Sequence, residues 1–172
     1  MGSDDSAVVR SAQADDGRPP AELIRLYRTG PEALRELVSD MTREQLVAVP
    51  VPGKMSTLEV VCHVVDADQF LADRMKRTIA TDKPLLMGVN GILYLEALHY
   101  GERDLQVQLS LLDVTRWQMA EDLERLEPDA WSREAVHSES GLVTLRQLLR
   151  QAIRHLERHG EAIKEKRVAL AL

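Results

Sequence analysis

Apolar residues recur at helical spacing in four long stretches of this 172-residue chain. The third stretch keeps the rhythm best: Leu105, Leu109, Leu112, Met119, Leu123 and Leu126 alternate steps of four and three, with Arg116 in the one place where an apolar residue is missing. Such a stripe is the seam of a helical bundle. In the first stretch, Leu23, Leu26, Leu34, Leu37 and Met41 follow the same logic. Gly30-Pro31 interrupts them, which predicts a helix kinked or broken at that pair. Ser56-Thr57-Leu58-Glu59 reads as a capping box that opens a second long helix ending near Thr81, and Thr144-Leu145-Arg146-Gln147 reads as another that opens the fourth. Between them, residues 47–54 hold two prolines and a glycine, residues 83–90 hold Pro84, Gly88 and Asn90, and residues 129–143 follow Pro128 with Ser138, Ser140 and Gly141. These are connections. A short helix is expected within 91–100, and no stretch alternates as a strand would. The predicted fold class is all-α, a four-helix bundle.

Residues 1–18 are rich in Ser, Asp, Ala and Gly without sustained periodicity, so a flexible tail is expected there, with one bundle domain over 19–172. Apolar residues make up 44% and charged residues 29%, the balance of a globular protein with a sizeable core. Aromatic residues are only 3%, so Leu, Val, Ile, Ala and Met must build that core. The net charge of −6 argues against nucleic acid as a partner, since binding a phosphate backbone needs a basic surface. No apolar run approaches membrane-spanning length and no secretory signal opens the chain, so a cytoplasmic location is expected. Cys62 is the one cysteine and excludes an internal disulfide.

Five histidines remain, and three of them have chemistry in their spacing. His155 and His159 stand one turn apart on the fourth helix, at the edge of the face formed by Leu145, Leu148, Leu149, Ala152, Leu156 and Ile163. Arg146, Arg150, Arg154, Glu157 and Arg158 fall on the other side. Two imidazoles separated by about 6 Å along a helix can converge on one ion, though the same pair also serves as ordinary hydrogen-bonded core-edge histidines. His63, two turns into the second helix, has Ala67 one turn further on, with Phe70 and Arg74 beyond. If the second and fourth helices face each other, three neutral nitrogen ligands meet with an open position left for water or substrate.

Gly53-Lys54-Met55-Ser56 followed by Glu59, His63, Asp66, Asp68 and Arg74 resembles the GKWS, E, H-L-A-D-x-E and R segment of the DinB/YfiT-like superfamily. Arg116-Trp117 resembles its R-W pair, His137-Ser138-Glu139-Ser140-Gly141 its H-P-E-x-G loop, and His155-x-x-x-His159 its terminal H-x-x-x-H. The motifs stand in the family's order over roughly residues 20–165. The resemblance implies an up-down-down-up four-helix bundle, often a homodimer, with a metal triad at His63, His155 and His159. Zinc or nickel is the implied ion, with iron, copper or manganese as alternatives. Implied activities are thiol-dependent S-transfer or isomerisation with bacillithiol, mycothiol or glutathione, acting on a small-molecule substrate, and metal-dependent hydrolysis. Met55 stands where the family has tryptophan and Ser138 where it has proline, which bears on pocket shape more than on metal ligation.

The other polar residues each admit two readings. Arg116 on the seam can bind a substrate carboxylate, or pair with a carboxylate inside the bundle. His137 can orient a ligand or touch substrate, or face solvent from its loop. Asp66 and Asp68 can accept from an imidazole or form helix-surface charge. His99 has no motif behind it, and Cys62 points about 100° away from His63 and reads as core packing. Three functional classes stay open: a metal site activating a thiol or water, a metal or ligand binder without turnover, and a bundle that serves as an interaction module.

Overall fold

The computed structural model describes residues 17–172, so the expected tail lies outside the described residues except for Gly17 and Arg18. Four long helices follow: α1 (Pro20–Val38), α3 (Thr57–Ala80), α5 (Leu105–Glu124) and α6 (Leu145–Ala169), with the short helices α2 (Arg43–Val47) and α4 (Gly91–Ala97) between them. Both expected capping boxes are formed. The Ser56 hydroxyl accepts from the Glu59 amide while the Glu59 carboxylate takes the Ser56 amide at 2.7 Å, and Thr144 with Gln147 repeats the exchange. Helix α2 has no counterpart in the apolar rhythm, because five residues are too few to show one. Its own signal is a third capping box, Thr42 with Gln45.

Contacts along the helices fix their directions. Arg28 and Arg35 of α1 pair with Glu124 and Asp113 of α5, so these two run antiparallel. Arg146 at the start of α6 donates to the Arg18 carbonyl, while Arg167 near its end pairs with Asp40, so α1 and α6 run together. Lys54 just before α3 meets Glu165 near the end of α6, which makes those two antiparallel. The bundle is therefore up-down-down-up.

Three short strands add what the sequence reading excluded. They are β1 (Leu85–Leu86), β2 (Glu134–His137) and β3 (Gly141–Thr144); β1 pairs parallel with β2, and β2 antiparallel with β3. Strands of two to four residues are too short to display a period of two, and β1 meets a partner about fifty residues away, so neither pattern nor proximity announces them. Leu86, Ala135 and Val143 turn inward onto the bundle.

Two apolar clusters fill the bundle, one around Tyr27, Met75, Met119 and Leu149, the other around Leu34, Val61, Leu112 and Ile163. A polar layer separates them. Arg116 is 1% exposed and donates from Nε and Nη2 to Asp68 Oδ2 at 2.9 and 2.5 Å, from Nη1 to the Tyr27 carbonyl at 3.1 Å and from Nη2 to the Ala152 carbonyl at 3.0 Å. The Tyr27 hydroxyl completes the layer by donating to Asp68 Oδ1. Burial and the Asp68 carboxylate both push the Tyr27 phenol well above its ordinary pKa, so it remains a donor.

This layer explains why α1 runs unbroken through Gly30-Pro31. Pro31 has no amide hydrogen, which frees the carbonyl four residues earlier, that of Tyr27, and Arg116 takes it. A Cβ on Gly30 would stand 2.5 Å from Arg116 Nη1, so glycine leaves room for the guanidinium. The pair that looks like a helix breaker is the seat of the buried arginine.

Candidate metal centre

Antiparallel α3 and α6 bring His63 against His155 and His159. The ring centroids lie 5.1 Å (His63–His155), 4.8 Å (His63–His159) and 4.5 Å (His155–His159) apart. His155 Nε2 stands 3.2 Å from His63 Nε2, and ligand atoms from the three rings fit within 4.8 Å of one another. Nitrogens each about 2.0–2.1 Å from one tetrahedral ion lie roughly 3.3 Å apart, so the donor set suits a borderline divalent cation. Burial lowers the pKa of His155 well below its usual value, helped by its two histidine neighbours. Burial, then His63 and Arg158, push His159 down to about 3. Neutral imidazoles with lone pairs available are the form a metal needs. The buried His155 Nδ1 has no hydrogen-bond partner, so neither nitrogen of that ring is committed to a carbonyl or carboxylate.

The three rings are not sealed. A cleft open to solvent is lined by His63 and His155. Phe70 of α3 and Tyr94 of α4 form one wall as a stacked pair, with centroids 5.7 Å apart. Gly91 closes on His63 so tightly that a Cβ there would lie 2.9 Å from the imidazole. A three-histidine set with a face toward a cleft has the form of catalytic rather than closed structural sites.

His137 also lines this cleft. It ends β2 and is buried, where the loop reading had allowed a solvent-facing side chain; its Nδ1 accepts from the Glu139 amide at 3.3 Å. Ser138 extends the pairing of β1 with β2 by donating its amide to the Leu86 carbonyl, and its hydroxyl accepts from the Gly88 amide, bonds a proline at this position would forgo. Asp68 is no surface charge, both its oxygens being held by Arg116 and Tyr27. Asp66, half-buried, receives the Tyr100 hydroxyl at 2.5 Å and Arg103 at 3.0 Å. Arg116 takes the intramolecular partner rather than a place in the cleft. Arg150 is buried, a departure from the solvated face expected of it. His99 is exposed in a left-handed turn.

Cys62 packs in the core, where burial raises its thiol pKa to about 11. Thiol reagents are therefore expected to leave the native protein unlabelled at pH 8 and to modify one thiol after denaturation, as mass spectrometry would show.

Gln151 and Tyr94 of the cleft were not singled out from sequence, while Phe70 and Glu139 were named beside His63 and in the loop motif without a role. For Gln151 the signal was present, since it continues the four-residue stripe of His155 and His159 by one turn. For Tyr94 it was not, since a helix of seven residues shows no periodicity that would aim one side chain at the histidines.

The sequence profile of the DinB superfamily matches residues 26–163. This chain belongs to that superfamily. No curated protein matches it in sequence. Among solved structures, YfiT from Bacillus subtilis, described as a "probable metal-dependent hydrolase with an unusual four-helix bundle topology", superposes with a TM-score of 0.85 at 20% identity over 92% of this chain and 91% of that one. A mycothiol-dependent maleylpyruvate isomerase superposes with a TM-score of 0.67 at 15% identity over 84% of this chain and 60% of that one. At these identities the likeness is one of fold. No helix among the described residues of this DinB-superfamily chain is long and apolar enough to cross a membrane.

Proposed function

We propose that this chain is a metal-dependent enzyme whose His63, His155 and His159 hold a divalent ion, zinc or nickel, and that it transfers a low-molecular-weight thiol to a small-molecule acceptor. The observation that carries this reading is a cluster of three imidazoles of which two, His63 and His155, line an open cleft. A bound divalent ion would lower the pKa of a coordinated thiol so that the nucleophilic thiolate exists at neutral pH. The likeness to a mycothiol-dependent isomerase supports a thiol as the activated group. The thiol must come from outside, because Cys62 is buried and protonated.

The residues around the three rings have separable tasks. His63 and His155 present the open face to the cleft, and Gly91, which lines the same cleft, leaves the His63 ring the room that a side chain would take. Phe70 and Tyr94 offer an apolar wall for the acceptor. Incubating the zinc- or nickel-loaded protein with an epoxide or chlorinated aromatic acceptor and bacillithiol, mycothiol or glutathione tests the reading. Thioether product formed with one thiol, and lost on chelation, is expected. Acceptor or ester hydrolysis without thiol dependence would instead assign water as the nucleophile, the chemistry with which YfiT is described.

A further inference from the structure

Gln151 is 8% exposed and lines the cleft beside His63 and His155, and the described residues offer its amide no hydrogen bond. Its amide is not among the buried unpaired polar atoms and so reaches the open cleft, where its donor and acceptor are available to a bound molecule. Its place is informative. On α6 it precedes His155 by four residues, so it stands about 5.4 Å along the helix axis from that ring, on the same stripe.

We infer that Gln151 forms a recognition subsite for a neutral hydrogen-bonding group, an amide or hydroxyl, on the molecule whose thiol occupies the open face of the three histidines. This rests on the thiol reading above and deepens it. A carboxamide side chain carries a donor and an acceptor together, which matches an amide or hydroxyl and holds no charge to attract a carboxylate. One turn of helix corresponds to the two- or three-carbon spacer between a thiol and the first amide of a small peptide-like thiol. The preference is therefore for thiols bearing an amide at that distance over alkyl thiols of the same shape.

Cobalt(II)-loaded protein tests it through the sulfur-to-cobalt absorption band that appears when a thiolate coordinates. N-Acetylcysteamine and its all-carbon isostere 4-methyl-1-pentanethiol are titrated against the parent protein and against Gln151→Met, which keeps the side-chain length, with Gln151→Leu as a second variant. The ratio of the two dissociation constants is expected to shift about tenfold toward the alkyl thiol in the variants, the size of one neutral hydrogen bond. Cobalt content is expected to be unchanged, and thermal stability unchanged or higher, since no intramolecular bond is removed. Bands with both thiols and a ratio the same in the variants overturn the subsite while leaving the thiol reading intact, as does a lowered melting temperature without a shift in ratio. Absence of a band with either thiol overturns the thiol reading and the subsite with it.

Discussion

His155→Ala protein purified without added metal is expected to carry only traces of the divalent ion that the parent chain retains near one equivalent, and His63→Ala/His155→Ala none. Elemental quantitation reads this directly. Removing groups that merely support metal ligands already costs about 10–100-fold in affinity. Losing one of three direct nitrogens should exceed that, because the remaining pair leaves the ion without a third protein donor. Zinc added at about 100 times its dissociation constant should stabilise the parent protein by about 2.7 kcal/mol and the variants scarcely at all. Equal metal content in parent and variants would sink the three-histidine site. Acid gives an independent sign. The folded-state pKa values of His155 and His159 are depressed by burial, the latter to about 3, so the metal-free fold binds fewer protons than the unfolded chain. Their contribution to stability is complete above about pH 6.5, where unfolded histidine titrates, and is lost as pH falls from there toward 3. Denaturant midpoints of metal-free protein across that window should fall with pH, and substituting both residues should flatten the fall.

How far the sequence reveals this molecule depends on the distance between cause and effect along the chain. The four long helices announce themselves because apolar period and capping box are local: Ser56 with Glu59, and Thr144 with Gln147, close their boxes within four residues. The histidine pair on α6 is legible for the same reason. His63 joins it only through a family motif and an assumed facing of two helices, which the antiparallel contact of α3 with α6 then supplies. The sheet escapes notice because β1 gains its partner from the far side of α5. Gly30-Pro31 misleads for the same kind of reason. Local rules read it as a kink or a break; the helix is not broken, and the arginine that takes the Tyr27 carbonyl freed by Pro31 lies on another helix. Orphaned backbone groups and missing side-chain volume are visible in sequence, but what fills them is a tertiary fact.

Arg116→Met is expected to destabilise the fold by about 3–5 kcal/mol, the usual cost of leaving one member of a buried ion pair behind. The side chains of Arg116 and Asp68 are 1% and 2% exposed, so solvent cannot take over the abandoned carboxylate. Nor is the ion pair the whole loss. The Tyr27 carbonyl, already without an intrahelical partner because of Pro31, would lose its Arg116 donor, and the guanidinium that lies 4.5 Å from the Tyr27 ring centroid would be gone. The comparison that isolates the charge is Arg116→Met/Asp68→Leu, in which no buried charge is stranded and much of the stability should return, as buried pairs replaced by apolar residues commonly allow. Gly30→Ala attacks the same layer by volume alone, pressing a methyl group to 2.5 Å from Arg116 Nη1, and a loss of 1–3 kcal/mol is expected from overpacking of about this size. Chemical denaturation of the four proteins reads all of these. A single Arg116→Met variant as stable as the parent would show that Asp68 finds another partner or takes up a proton, and that the layer separating the two apolar clusters does not depend on its arginine.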